Sequence, residues 1–210
     1  IGSNTEIFPF ASIGSVPQDL KYKGEDTKVI IGSSCKIREY VTINKGTKGG
    51  GRVTMIGNNC LMMIGTHIAH DCLIGNNVIF ANHSTLAGHV ILKDNVVVGA
   101  LSAIHQFSKI GEGAMIGGMS GVTADVVPYS TVVGNRAKLS GLNILGLKRR
   151  NIEKKEISEL RKVYKYIFHN NQNTLRERVI NMKQKEFKEQ TIQIFLEFLS
   201  EDSDRSFTLP

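Results

Sequence analysis

The chain has 210 residues, 41% of them hydrophobic, with three cysteines and a formal net charge of +7. That length accommodates one solenoid plus a small second unit, and the composition is that of an ordinary globular chain. No run of 18 apolar residues occurs, which excludes a membrane-spanning helix; no stable membrane insertion and no nucleic-acid partner are expected.

The chain opens on Ile1 without an initiator Met, already in a six-residue phase with Ile7 and Ile13, while Thr5 and Ala11 form a companion series. We expect a fragment whose first coils are missing, so the lack of a leader carries little weight. Residues 16 to 28 (VPQDLKYKGEDTK) break the pattern with Pro17, Gly24 and mixed charges, and read as a projecting loop. The phase resumes at Ile31, Ile37 and Ile43, with Cys35 and Val41 in the companion series. A second excursion at residues 45 to 52 (KGTKGGGR) then shifts it by one. Loops inserted into a rigid solenoid are where binding groups tend to be mounted.

From Ile56 to Val122 every sixth residue is apolar, and four places after each stands a small or β-branched residue, from Cys60 and Thr66 to Ser120 and Val126. A six-residue period with two inward positions fits neither an amphipathic helix nor a plain strand; it is the hexapeptide repeat of a β-helix. Glycine often follows the apolar position, as at Gly57, Gly75 and Gly99. Asn or Asp stands nearby, as at Asn58, Asn76 and Asp94, and such residues tolerate the left-handed backbone of a tight corner. Three hexads close a triangular coil, so residues 18 apart stack at roughly 4.8 Å, the ordinary interstrand spacing. Such coils wind left-handed, against the usual crossover rule. Cys35, Cys60 and Cys72 all take the small inward position and read as core filling, which suits a reducing compartment, rather than as a disulfide or zinc framework.

The solenoid pattern fades after Val126, and residues 129 to 147 read as irregular and Gly-rich. Residues 154 to 170 predict a helix with Ile157, Leu160, Tyr164, Ile167 and Phe168 on one face. Thr174 to Glu177 forms a capping box that starts a second helix, and residues 187 to 200 predict a third, burying Ile192, Phe195, Leu196 and Leu199. The expected fold is mainly β: a left-handed parallel β-helix over residues 1 to 134, then a small C-terminal α-helical domain over 135 to 210. One task of the helical part is to close the solenoid end, where strand edges are otherwise open. Between Arg136 and Lys165 ten Lys or Arg stand against Glu153, Glu156 and Glu159, so the whole net charge sits there. The collar reads equally as a docking face for an acidic partner or as a solvated helical face.

His67, His70, His83, His89 and His105 all avoid the inward positions and belong on the outer surface or in loops. By the 18-residue rule His70, Gly88 and Gln106 stack on successive rungs. A titratable base, an unhindered backbone N–H and an amide at one corner suit acyl transfer: the base activates a hydroxyl and the N–H holds the oxyanion. Exposed histidines without a catalytic role are also common. His67-x-x-His70-Asp71 admits a metal pair, which needs a third ligand from a neighbouring chain; the preferred reading has no metal.

The runs THIAHDCLIGNNVIFANHSTLAGHV (66 to 90), AIHQFSKIG (103 to 111), GGMSGVTADVVPY (117 to 129), GLNILGLKRR (141 to 150) and QDLKYKGE (18 to 25) resemble the UDP-N-acetylglucosamine acyltransferases. These motifs are far more specific than the hexapeptide repeat, and the likeness covers essentially the whole chain. The resemblance implies a cytoplasmic homotrimer with active sites in clefts between subunits. It implies transfer of an R-3-hydroxyacyl group, on the phosphopantetheine of acyl carrier protein, to the glucosamine 3-hydroxyl of UDP-N-acetylglucosamine, the first step of lipid A synthesis, without a cofactor of the enzyme's own. On matching positions His70 resembles the general base and Gly88 the oxyanion donor. His67, His89, His105 and Gln106 resemble residues lining the sugar and acyl-pantetheine pocket, and Asp19 and Lys21 the sugar and phosphate contacts. Asn143, Arg149 and Arg150 resemble the nucleotide and acyl-carrier end of the cleft. Gly118 matches the position that limits acyl length, and without a side chain it leaves room for about fourteen carbons. Asp71 follows the base directly and orients it only if the pair lies at a corner, since strand neighbours point to opposite faces. Two positions depart from the family pattern: Asn44, where His is frequent, bears on sugar recognition and on use of a 3-amino sugar, and Leu145, where an acid is frequent, on the nucleotide end.

Three other readings stand beside this one. The N-acyltransferase later in the same pathway takes an amine acceptor; a zinc carbonic anhydrase of the β-helical type requires bound metal; a structural solenoid would not notice loss of His70.

Overall fold

The computed structural model describes every residue except 171, 202 and 204. Short parallel strands stack in three sheets, one on each face of a triangular left-handed coil. The first face holds Glu6–Ile7, Lys36–Ile37, Leu61–Met62, Ile79–Phe80, Val97–Val98 and Met115–Ile116. The second runs from Ser12–Ser15 through His67–Ile68 to Gly121–Val122, and the third from Lys28–Ile31 through Leu73–Ile74 to Lys109–Ile110.

Every member of the two inward series between Ile56 and Val126 is buried, and Leu, Ile, Val and Phe dominate the core. Each such side chain withdrawn from water contributes about 1.5–3 kcal/mol, so the six-residue spacing itself drives the coil shut. The rungs keep the 18-residue register: Leu61 pairs with Ile79 and Ile79 with Val97, His67 with Thr85, Leu73 with Ile91. Across the second excursion the offset lengthens to 25, pairing Thr42 with His67, and across the first to 30, pairing Glu6 with Lys36. Both insertions therefore leave the solenoid's hydrogen bonding intact and bulge outward.

All three corners use left-handed backbone, but with different residues. Between the third and first faces stand Ser34, Asn59, Asn77, Asn95 and Gly113, types suited to that conformation. An amide ladder runs alongside, Asn76 Oδ1 accepting from Asn58 N and Asp94 Oδ1 from Asn76 N, each at 2.8 Å. Between the first and second faces the same conformation is taken by Phe10, Tyr40, His83, Leu101 and Met119. Bulky side chains rarely adopt it, and strain of this kind collects where function or assembly demands it. Between the second and third faces it is Asp71, His89 and Phe107.

The segment after Val126 is more ordered than its sequence indicates. Ser130–Val133 joins the first face in parallel with Met115–Ile116, then turns back through Lys138–Leu142 as an antiparallel hairpin. The residue-134 boundary expected between the two domains falls within this hairpin. Helix α1 (Ile144–Arg149) follows, capped by the Asn143 side chain, which accepts from Gly146 N at 2.9 Å. Helices α2 (Lys154–His169), α3 (Leu175–Lys183) and α4 (Gln190–Phe198) occur where the periodicity places them, α4 beginning three residues later than expected. The Thr174–Glu177 capping box is complete. The C-terminal tail then runs back onto the last coil, where Asp125 N donates to Ser206 O at 2.9 Å and Thr208 N to Asp125 O at 2.7 Å. Hairpin and tail, as well as helices, thus satisfy the end of the solenoid.

Candidate active site

His70 and Asp71 lie on the turn between His67–Ile68 and Leu73–Ile74, the corner between the second and third faces. The left-handed backbone of Asp71, φ 59°, brings two sequence neighbours to one side, so that His70 Nδ1 lies 2.8 Å from Asp71 Oδ2. The corner that Asp71 requires in order to orient His70 is therefore present. The Asp71 side chain is fully buried and that of His70 is 15% exposed. A carboxylate only accepts, so the nitrogen facing it is the protonated one, and Nε2 of His70 keeps its lone pair free.

Asp71 is held on its other side by the second excursion. Thr47 N donates to Oδ1 at 2.8 Å and Thr47 Oγ1 to Oδ2 at 2.6 Å, while Asp71 N donates to Thr54 Oγ1 at 2.8 Å.

Gly88 sits one rung above His70, and its carbonyl accepts from Phe107 N at 3.2 Å. Its own N–H has no hydrogen-bond partner among the described residues. A Cβ on Gly88 would lie 2.6 Å from His70 Cε1, closer than atoms approach, so glycine alone lets the imidazole lie against that backbone. His89 completes the cluster: its ring meets His70 edge-on at 5.0 Å and stacks on Phe107 at 4.5 Å, and its Nε2 is 3.9 Å from Asp71 Oδ2. Burial lowers the pKa of His89 against the opposing pull of Asp71, and burial alone lowers that of His67. Both are neutral hydrogen-bonding groups near neutral pH. His67 Nδ1 is engaged with Thr42 Oγ1 at 2.7 Å.

A cavity of about 960 Å³ opens beside this corner, lined by Asp19, Lys21, Thr47, Lys48, His89 and Phe107. The two excursions form one wall, since Glu25 accepts from Lys23 N at 2.8 Å and from Lys48 N at 3.2 Å. A second cavity of about 430 Å³ adjoins it along Asp71, Leu73, Phe107 and Lys109. His105 and Gln106 stand exposed one rung higher, where Arg205 of the tail reaches His105 Nδ1 and Gln106 O, both at 2.9 Å.

Asn143, Arg149 and Arg150 are not brought to this corner. They line a cavity of about 360 Å³ on the first face with Ile79, Met115 and Leu145. Asn143 is occupied as a helix cap and donates to Gly113 O at 3.1 Å, and Arg150 pairs with Glu112 and lies over the Tyr129 ring. Gly118 is exposed beside Met119 at the first corner. Asn44 is buried, donating to Val16 O at 3.3 Å, with its Oδ1 unpartnered.

Among the described residues, His70, Asp71 and His89 are the one trio of potential metal-ligating groups whose ligand atoms all lie within 4.8 Å of one another. Both carboxylate oxygens already accept hydrogen bonds, so the arrangement is built as a hydrogen-bonded relay. Burial pushes the Cys60 and Cys72 thiols up to about 12, which removes them as nucleophiles near neutral pH.

Thr47, Thr42, Phe107 and Arg205 escape the sequence reading. Phe107 was accessible to it, standing 18 after His89 and 36 after Asp71. The other three touch the site through an excursion, a 25-residue offset or a returning tail, none of which follows the coil arithmetic.

Comparison with known proteins agrees with this architecture. A family model described as UDP-N-acetylglucosamine O-acyltransferase, domain 2, matches residues 125–208, and one for the bacterial transferase hexapeptide matches residues 54–88. The acyl-[acyl-carrier-protein]–UDP-N-acetylglucosamine O-acyltransferase of Paracoccus denitrificans is 49% identical over 97% of this chain and 77% of its own length. That of Aliarcobacter butzleri is 52% identical over 90% of this chain and 74% of its own. The solved structure of LpxA from Acinetobacter baumannii superposes with a TM-score of 0.93 at 42% identity, covering 98% of this chain and 79% of that one. Such identity over nearly the whole length, on the same coil and the same helical end, shows that the chain belongs to the UDP-N-acetylglucosamine O-acyltransferase family of enzymes.

Proposed function

We propose that the chain transfers an R-3-hydroxyacyl group from the phosphopantetheine thioester of acyl carrier protein to the glucosamine 3-hydroxyl of UDP-N-acetylglucosamine, the first step of lipid A synthesis. The observation that carries the chemistry is the His70–Asp71 pair beside the unpartnered Gly88 N–H. His70 Nε2 takes the proton of the sugar hydroxyl as that oxygen bonds to the thioester carbon. Charge moves to the former carbonyl oxygen, which the Gly88 N–H holds. Collapse breaks the carbon–sulfur bond, and the departing thiolate takes the proton back from the imidazolium. The acyl group passes directly from donor to acceptor without a covalent enzyme intermediate or a cofactor. Asp71 keeps the imidazole in the accepting tautomer and stabilises its charged form.

In this reading Asp19 and Lys21 contact sugar and phosphate from the first excursion, and neutral His67 and His89, with His105 and Gln106, line the pocket. Gly118 sets the acyl length: a Cβ there meets nothing nearer than 3.4 Å, which leaves the groove open for about fourteen carbons. Asn143, Arg149 and Arg150 serve the nucleotide and carrier end from a neighbouring subunit, because they line a separate cavity of their own chain. A homotrimer is supported by the exposed apolar column of Phe10, Tyr40, Leu101 and Met119 along one corner. The basic collar between residues 136 and 165 suits docking of acidic acyl carrier protein. Among the described residues no helix is long and apolar enough to cross a membrane, and we assign the enzyme to the cytoplasm with its carrier-bound donor.

The test is acyl transfer from 3-hydroxyacyl carrier protein to UDP-N-acetylglucosamine by the parent protein and by His70→Ala. The expected result is loss of about 10²–10⁴-fold in kcat with assembly unchanged. Because Asn44 departs from the family pattern, the 3-amino sugar nucleotide is run in parallel; transfer to neither acceptor, or full activity of His70→Ala, overturns the reading.

A further inference from the structure

Asp71 belongs to the solenoid, but its carboxylate is oriented from outside it. From the coil, its own N–H donates to Thr54 Oγ1 and its carboxylate meets His70 Nδ1. Both carboxylate oxygens are met by the second excursion, through the N–H and the hydroxyl of Thr47, which is itself buried. The loop is shaped for this approach. Gly50 N and Arg52 N both donate to Thr47 O, at 3.2 and 2.9 Å, wrapping the turn round that residue. Gly50 comes so near that a Cβ there would lie 2.0 Å from Asp71 Cγ. Glu25 fastens the loop to the first excursion through Lys48 N.

We propose that Thr47 is a positioning residue for the transfer: its hydroxyl and N–H clamp the Asp71 carboxylate so that Oδ2 stays aimed at His70 Nδ1. The proposal rests on His70 being the general base. Oδ2 is shared between the Thr47 hydroxyl and His70 Nδ1, at 2.6 and 2.8 Å. The hydroxyl therefore holds Oδ2 in line with the Nδ1 proton. The N–H on Oδ1 fixes the plane of the group. His70 is thereby held in one tautomer with Nε2 turned outward before substrate arrives. Other ionisable groups near the pair, among the described residues, include His89 on the next rung, the buried Cys72 and, beyond them, Asp19 of the first excursion. The second excursion presents Thr47 and Gly50, its Lys48 being exposed.

The experiment compares Thr47→Val, Thr47→Ser and His70→Ala in steady-state transfer. Without the hydroxyl the imidazole loses its fixed orientation. Thr47→Val should therefore lose about tenfold or more in kcat with KM little changed. Thr47→Ser should restore kcat. If the Val form fails to fold by circular dichroism, Thr47→Ala replaces it, with rates normalised to folded protein. A folded variant with parental kcat, or a loss confined to KM, overturns the clamp. Full activity in His70→Ala overturns instead the base assignment on which it rests.

Discussion

A single hydrogen on Gly88 separates a working corner from a blocked one. The ring of His70 occupies the space a side chain would need, 2.6 Å from the Cβ position to Cε1, and the adjacent N–H is the unpartnered donor. Gly88→Ala should push the imidazole off its bond with Asp71 and misplace the N–H, lowering kcat by about 10²-fold. Because the displaced ring is only partly buried, the far-ultraviolet spectrum and the melting temperature should stay close to the parent's. Melting far below the parent would mean that Gly88 is needed for the coil rather than for the chemistry. At this scale the sequence discloses one column of the site and hides what leans on it. Asp71, His89 and Phe107 stand 18 apart, as His70, Gly88 and Gln106 do, and coil arithmetic alone juxtaposes them. Thr47 stands 24 before Asp71, inside an insertion whose path no period describes, so the clamp on the carboxylate emerges only in three dimensions.

The elements differ in legibility for the same reason that they differ in stability. Most strands of the coil are only two residues long, yet their side chains recur on every rung, so the pattern is repeated until it is unmistakable. Helix α1 spans six residues, under two turns, and offers no such repetition; the hairpin before it is held by the edge of the first face and by the returning tail. Residues 129 to 147 look irregular in sequence because their order is imposed by neighbours. The energetic counterpart is measurable. Phe80 is fully buried between the rungs of Met62 and Val98, and Phe80→Ala should cost about 3–5 kcal/mol through lost contact and a cavity. Thr174 caps an exposed helix terminus with both arms of its box, and Thr174→Ala should cost only about 1 kcal/mol. Urea midpoints for the two variants test the ranking. A Phe80→Ala loss no greater than that of Thr174→Ala would mean that the coil is stabilised by its hydrogen-bond ladders more than by its filling.

Two features of the single coil bear on the proposed trimer: the proposed site residues fall in separate cavities, and apolar side chains face water along one corner. Phe10 and Tyr40 stack at 5.2 Å on the corner between the first and second faces, and Leu101 and Met119, 61% and 72% exposed, stand on the same corner beyond Gly65 and His83. All four have left-handed backbone, a costly conformation for such side chains and one that projects them away from the coil. Burying that column against a neighbouring subunit would recover hydrophobic stabilisation now absent, and would carry the Asn143 and Arg149 cavity of one subunit toward the His70 corner of another. The double substitution Leu101→Lys with Met119→Lys places charge there without touching the core. If the proposed trimer forms along this corner, the double substitution should leave each chain folded by circular dichroism, reduce the sedimenting mass from three chains to one, and abolish transfer although His70, Asp71 and Gly88 are intact. A variant that still sediments as a trimer would move the interface elsewhere on the coil. A monomer with parental activity would mean that one chain completes the site alone, and Asn143 and Arg149 would then lose their proposed role.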